Sequence, residues 1–248
     1  FAQGQIETNF IELTPDLNDL FTRYWSRVVP AGQKSTIALP FFHLQSEGFW
    51  HLVAAPEKEQ ILKSIKSIST VSQLHNIALG ARLDDELFEL LQSEKERDVL
   101  RAALISRNFG EEARPALVEQ GQANRQAYIY SLELFEQAHG KAAEKIPEYK
   151  PVVRDQGFRR AIVSAYKHRC ALCGVRMVTP DGHTVVEAAH IVPWSVRHDD
   201  RINNGMALCR LCHWAFDEGM MGVEDDYTVI LSPQMSRNAN APGLLQTL

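Results

Sequence analysis

Apolar residues recur at helical spacing from Leu17 through Leu20, Phe21, Tyr24 and Trp25. Thr14-Pro15 ahead of them supplies an N-cap and a proline at the first helical position, so a helix is predicted from Pro15. The pattern changes over 34–53. There STIALPFFHL and FWHLV flank Ser46-Glu47-Gly48, which predicts a β-hairpin. Pro56 opens a second helical stretch to about Ser67, and Ser93-x-x-Glu96 is a capping box ahead of VLRAALI. A long helical stretch with a polar face runs over roughly 111–138, with Pro115 in its first turn, and ends at Gly140. KAAEKIPEYKPVVRDQG (141–157) has no periodicity and two prolines, as a linker would. Beyond it, FRRAIVSAYKHR (158–169) predicts a short helix and TVVEAAHIVPW (184–194) a strand with a turn. MALCRLCHWAFDEG (206–219) predicts a Cys-x-x-Cys knuckle flowing into a helix that Gly219 stops. The expected fold class is α+β: a mixed α/β domain over 1–140, a linker over 141–157 and a second domain over 158–248.

The chain has 248 residues, 45% hydrophobic and 23% charged, an ordinary globular mix that can bury two cores without disulfide staples. Even TIALPFF (36–42) falls far short of the roughly 18 apolar residues of a membrane span, and FAQGQIETNF lacks the basic and apolar regions of a signal peptide. A cytoplasmic protein without a membrane partner is expected. Net charge is −5, but it is unevenly spread. Residues 151–248 hold ten Lys/Arg and ten Asp/Glu, which leaves 16 against 21 in the first 150. Arg159, Arg160, Lys167, Arg169 and Arg176 fall in a stretch with no acid between Asp155 and Asp181, and such a local basic face can bind phosphates whatever the net charge.

The four cysteines form two pairs, Cys170-x-x-Cys173 and Cys209-x-x-Cys212. Without an export signal this spacing predicts metal rather than disulfides, each knuckle supplying two thiolates to a tetrahedral structural Zn²⁺. The 35 residues between the pairs exceed a simple zinc ribbon, so a folded element lies between them.

Between and after the knuckles lie Glu187, His190, Asn203, Asn204, His213 and Asp217. His213 and Asp217, four apart on a predicted helix, share one face and can offer a nitrogen and an oxygen to one divalent ion. His190 lies in an apolar strand, where a neutral imidazole can accept a proton from water. Asn204 would tie down its loop or hydrogen-bond the histidine. Read singly, a strand histidine also serves as a core residue and an i, i+4 His/Asp pair as a surface pair.

Taken together, Cys-x-x-Cys, VEAAHIVPW and NNGMALCRLCHWAFDEG resemble the HNH nucleases, whose ββα-metal motif sits on a zinc-bound scaffold, over roughly 158–222. The resemblance implies a DNA endonuclease with His190 as general base, Asn204 as the middle asparagine (Asn203 is its rival), and His213 as the final histidine. His213 and Asp217 would then hold a catalytic Mg²⁺ or Mn²⁺, distinct from the Zn²⁺ on Cys170, Cys173, Cys209 and Cys212. Ala189 departs from the pattern, since many HNH nucleases place a metal-ligating Asp or His there. Glu187, on the same strand face, either substitutes or braces the scaffold. Arg159, Arg160, Lys167 and Arg169 fit phosphate contacts or a solvated helix face.

In the first domain ALPFFHLQSEGFWHL (38–52) resembles the P-F-x-x-L…G-x-W hairpin of the sulfur-binding domains of type IV restriction endonucleases, over roughly 15–110. This resemblance implies phosphorothioate-modified double-stranded DNA as the target. Phe41, Phe42, Phe49 and Trp50 are expected mostly in the core. His43, Gln45 and His51, with Arg107 and Asn108, are the expected DNA contacts. The leading expectation is therefore a modification-dependent restriction endonuclease, acting as a homodimer or by successive nicks. Two alternatives stand beside it: a nuclease whose first domain reads another DNA mark or a protein, and a non-catalytic zinc DNA-binding module.

Overall fold

The computed structural model describes residues 8–33, 36–140, 148–180, 182–224 and 226–233. In chain order the elements are β1 (Ile11–Glu12), α1 (Pro15–Val28), α2 (Ala38–His43), β2 (Trp50–Ala54), α3 (Glu59–Ser64), α4 (Val71–His75), β3 (Ala78–Leu83), α5 (Asp85–Gln92), α6 (Glu94–Asn108) and α7 (Arg114–Ala138). There follow α8 (Pro151–Ala165), β4 (Val186–His190), α9 (Trp194–Arg197), β5 (Gly205–Cys209), α10 (Arg210–Asp217), β6 (Met221–Val223) and β7 (Val229–Leu231). Among the described residues no helix is long and apolar enough to cross a membrane.

Two compact units share the chain, Phe1–Arg125 with Thr179–His183, and Gln126–Val178 with Thr184–Leu248. The division falls inside α7 rather than in the expected 141–157 linker. Residues 141–147 of that segment lie outside the described residues, and 151–157 are the first half of α8. Pro151 marks no break there. It occupies the first helical turn, where a missing N–H leaves no hydrogen bond unmade.

In the first unit the sheet runs β1-β3-β2, antiparallel throughout, over a core that includes Phe41, Phe42, Trp50, Ile68, Val71 and Leu74. Thr14 caps α1 by accepting from the Leu17 amide at 3.2 Å, and Ser93 caps α6 through the Glu96 amide at 3.4 Å, as the sequence predicts. The hairpin over 34–53 does not form; its residues 34 and 35 lie outside the described residues. Ala38–His43 is a helix, Leu44–Glu47 a 3₁₀ turn ended by Gly48 at φ +87°, and only Trp50–Ala54 is a strand, paired with β3. The reason is that consecutive Phe41 and Phe42 are both buried. A strand would send one of them to each face, whereas a helical turn puts both into the core. The helix expected from Pro56 starts only at Glu59, since Glu57 sits at φ +61°.

In the second unit β4 and β5 pair antiparallel, from Val186 opposite Cys209 to His190 opposite Gly205, and α10 follows directly. This ββα succession packs against α8, whose Val153, Gly157, Phe158, Ala161 and Ile162 are buried. The approach of α8 to β5 requires a glycine. A Cβ on Gly205 would run into the Ile162 side chain and lie 3.0 Å from Phe158 Cζ. Gly205→Ala is expected to cost about 1–3 kcal/mol, through overpacking. A thermal melt checks this, and an unchanged melting temperature would contradict the packing.

Candidate active site and metal centre

The two knuckles meet as the spacing predicts. The four Sγ atoms of Cys170, Cys173, Cys209 and Cys212 lie within 4.8 Å of one another, with Cys173 and Cys209 3.7 Å apart. Backbone turns shape the first knuckle. The Gly174 amide donates to Cys170 O at 3.0 Å, the Cys170 amide to Val175 O at 2.9 Å, and Gly174 takes φ +73°. The second knuckle forms where β5 turns into α10, so strand pairing with β4 carries Cys209 to the first pair. Burial pushes the Cys170 thiol up, but amides of Cys173, Cys209 and Leu172 outweigh it and leave the thiol below its ordinary value. Burial, followed by the charge of Cys170, pushes Cys212 far up. The donor set therefore fits a divalent cation such as zinc, which removes the conflict of several buried thiolates in one place.

Along β4 side chains alternate between the two faces of the sheet. His190 faces α8, its ring stacked on Phe158 at 4.0 Å with an interplanar angle of 2°. Its Nε2 is 2.6 Å from Asp200 Oδ1, and among the described residues no hydrogen bond engages its Nδ1. The Asp200 side chain is only 2% exposed. Its other oxygen accepts from the Tyr130 hydroxyl at 2.8 Å and lies 3.6 Å from Arg154 Nε. Burial and then the bond to Asp200 push the Tyr130 pKa up, so the phenol stays a donor. Arg154 stacks 3.6 Å over the Trp194 ring. Beside these residues opens a cleft of about 520 Å³, whose lining includes Tyr130, Tyr149, Arg154, Trp194, His198 and Asp200.

Asn204 does not touch His190. Its side chain accepts from the Val192 amide at 2.9 Å and donates to Val192 O at 3.1 Å and Asp199 O at 2.8 Å. Every polar side-chain atom of this 7% exposed residue bonds the loop, so of the two readings the structure shows the tie and no hydrogen bond to His190. The loop so fixed carries Asp200.

His213 and Asp217 do share a face of α10, with Nε2 3.6 Å from Asp217 Oδ2. Glu187 reaches the other ring nitrogen, its Oε2 3.3 Å from Nδ1, and Arg210 approaches its second oxygen at 3.4 Å. The acids thus stand at opposite nitrogens, and each offers a two-atom N/O site with His213. Among the described residues only the four cysteines gather three or more ligand atoms within 4.8 Å. Ala189 is 4% exposed and offers no ligand.

The basic residues of 159–176 divide. Arg169 donates to Gly174 O at 2.8 Å and Arg176 to Lys167 O at 3.0 Å, so both brace the first knuckle. Arg160 lies 4.9 Å from the Tyr128 ring centroid. Arg159 and Lys167 are exposed. In the first unit His43 and Gln45 are exposed beside the buried Phe41 and Phe42, and Trp50 donates to Phe41 O at 2.8 Å. Arg107 and Asn108 are exposed in the last turn of α6, where Asn108 donates to Leu104 O at 2.9 Å. His51 pairs with Asp84 at 2.6 Å. No hydrogen bond or ion pair among the described residues joins His43 or Gln45 to Arg107 or Asn108.

Sequence reasoning missed Asp200, Tyr130 and Arg154. The one available signal was the Asp199-Asp200 pair between His190 and Asn204, a carboxylate reservoir near a histidine.

Residues 170–224 match the family model of the HNH endonucleases, and an HNH endonuclease domain occupies this segment. Among solved structures the chain is similar to a modification-dependent restriction endonuclease, TagI, with 25% identity and a TM-score of 0.29. That similarity covers 39% of this chain and 33% of the other, so the chain spans about a third of its length. No curated protein matches the chain.

Proposed function

We propose that the second unit hydrolyses phosphodiester bonds in double-stranded DNA, with His190 as general base. The observation that carries this reading is the state of His190 inside the HNH segment. One ring nitrogen is held by a buried carboxylate, and the other is left without a partner at a partly open surface, where an unprotonated nitrogen can take a proton from an attacking water. His213 with Glu187 or Asp217 would hold a divalent ion, Mg²⁺ or Mn²⁺, which supplies polarisation of the phosphate and stabilisation of the leaving oxygen. Asn204 keeps the 191–204 loop, and with it Asp200, in register. Exposed Arg159 and Lys167 suit phosphate contacts. The four-cysteine group holds structural zinc.

For the first unit we propose a reader of phosphorothioate-modified DNA. This reading rests on the sequence resemblance over 38–52 and is supported by the exposed His43 and Gln45 on a turn anchored by Phe41, Phe42 and Trp50. A sulfur in place of a non-bridging oxygen leaves that edge of the phosphate larger and less hydrated, so apolar surface flanked by polar groups would favour it. Two-strand cleavage would use a homodimer or two successive nicks, in the cytoplasm as part of a restriction system.

The test is cleavage of paired plasmids, one phosphorothioate-modified and one not, with Mg²⁺, with Mn²⁺ and with EDTA. Metal-dependent cutting confined to the modified plasmid is expected. Equal cutting of both would discard the sulfur reader and keep the nuclease. Binding of DNA without cutting under any condition would favour a zinc-stabilised binding module, the reading to which Ala189 points.

A further inference from the structure

The HNH segment contains the imidazole of His190 and the carboxylate beneath it, but not the groups that hold that carboxylate. Asp200 lies ten residues from His190, while Tyr130 is on α7 and Arg154 on α8, both outside 170–224. Each Asp200 oxygen has its own neighbours. Oδ1 is 2.6 Å from His190 Nε2, and Oδ2 receives the Tyr130 hydroxyl at 2.8 Å with Arg154 Nε at 3.6 Å. The phenol donates to Oδ2 with the Arg154 cation beside it, the surroundings of a carboxylate, and a carboxylate presents acceptors at both oxygens. The proton between Asp200 and His190 therefore belongs to Nε2, and Nδ1 carries the lone pair. Phe158, stacked flat on the ring, and Trp194, with its centroid at 6.2 Å, restrict the imidazole further.

We infer that Asp200 is a positioning residue for His190, locked by Tyr130 and Arg154, and that it sets the tautomer in which Nδ1 can accept a proton. The inference rests on the nuclease reading for its consequence in cleavage, but not for the tautomer itself. The two elements that orient the proposed base thus come from outside the matched HNH segment.

Asp200→Asn tests the point because it keeps the shape and removes one acceptor. The amide oxygen is drawn to the side of Tyr130 and Arg154, since the Tyr130 hydroxyl donates there and the Arg154 cation lies beside it. The amide NH₂ then faces His190 Nε2 and can only donate to it. The imidazole is driven to the opposite tautomer, with its proton on Nδ1, where it no longer accepts one from water. ¹⁵N-histidine NMR of the full chain, with the His190 signals assigned by their loss in His190→Gln, reads the tautomer directly. The parent is expected to show a protonated Nε2 and a bare Nδ1, and Asp200→Asn the reverse. Single-turnover cleavage at saturating DNA should fall about 10²-fold, near the lower end of what a general base contributes, with DNA affinity within about twofold. In a His190→Gln background the same substitution should change the residual rate little, since a residue acting through His190 has nothing left to act on.

A parent protein with its proton on Nδ1 would overturn the inference, and this measurement does not require Asp200→Asn to fold. Asp200→Asn that keeps the Nε2 proton, or that cleaves within about threefold of the parent, would overturn it too. If the parent cleaves no DNA but shows the expected tautomers, the nuclease reading fails and the positioning geometry stands.

Discussion

Chelation of the metal, or Cys209→Ser, is expected to unfold the second unit rather than to slow it. The four thiols sit in the core of that unit: Cys170, Cys209 and Cys212 are buried together with Val186, Leu208 and Ala215. They tie the β5–α10 junction to the segment that follows α8, and the Cys170 amide turn closes on the same point. In zinc-knuckle domains the metal's binding energy, about 10 kcal/mol or more, is folding energy. That is comparable to the whole net stability of a typical domain, about 5–15 kcal/mol. Without the cation, four sulfurs crowd together in a largely buried cluster with no ion to hold them, which favours opening. Thermal melting followed by circular dichroism, with and without chelator, together with metal content by elemental analysis, checks this. Retention of the full cooperative transition by the metal-free chain would refute a structural role for the cluster.

His190→Gln and His190→Ala are expected to reduce cleavage by about 10³- to 10⁴-fold, the upper range for removing a general base, while DNA binding persists. The two variants differ in what they leave behind. Alanine removes the ring stacked on Phe158 and strips the buried Asp200 of its nearest partner, so it also costs stability, about 1–3 kcal/mol. Glutamine fills much of the space and can still hydrogen-bond to Asp200, so it isolates the loss of the base. Comparing the two separates chemistry from packing. A His190→Gln protein that cleaves like the parent would show that another group activates the water, and the exposed His198 at the cleft would be the next to substitute.

The contrast between the two units shows where periodicity and spacing carry information and where they do not. Thr14 and Ser93 cap their helices as read, because a cap depends on residues three apart in sequence. Residues 38–43 looked like part of a strand and are helical, because the choice turns on whether both Phe41 and Phe42 can be buried. That is settled by Trp50, Ile68, Val71 and Leu74 arriving from elsewhere. Pro151 looked like part of a linker, yet a proline before a helix and a proline in a loop read alike until α8 is seen to have a sheet to pack on. At the site, Asn204 was legible as a residue that ties its loop or meets the histidine, and only its packed backbone partners, Val192 and Asp199, select the tie.

The sequence by itself determined the four-cysteine cluster and the placement of the two histidines. Cys-x-x-Cys spacing is a local geometric requirement of a knuckle, strand alternation places His190, and the i, i+4 offset places His213 beside Asp217. Tertiary structure alone decided the rest of the site: Glu187 at the second nitrogen of His213, and Asp200 beneath His190 with Tyr130 and Arg154 behind it. Tyr130 and Asp200 are 70 residues apart in the chain. Nothing in either local pattern requires the other. The pairing arises only when α7 and α8 pack beside the sheet, where a buried carboxylate must find donors or go unpaired at a cost of several kcal/mol.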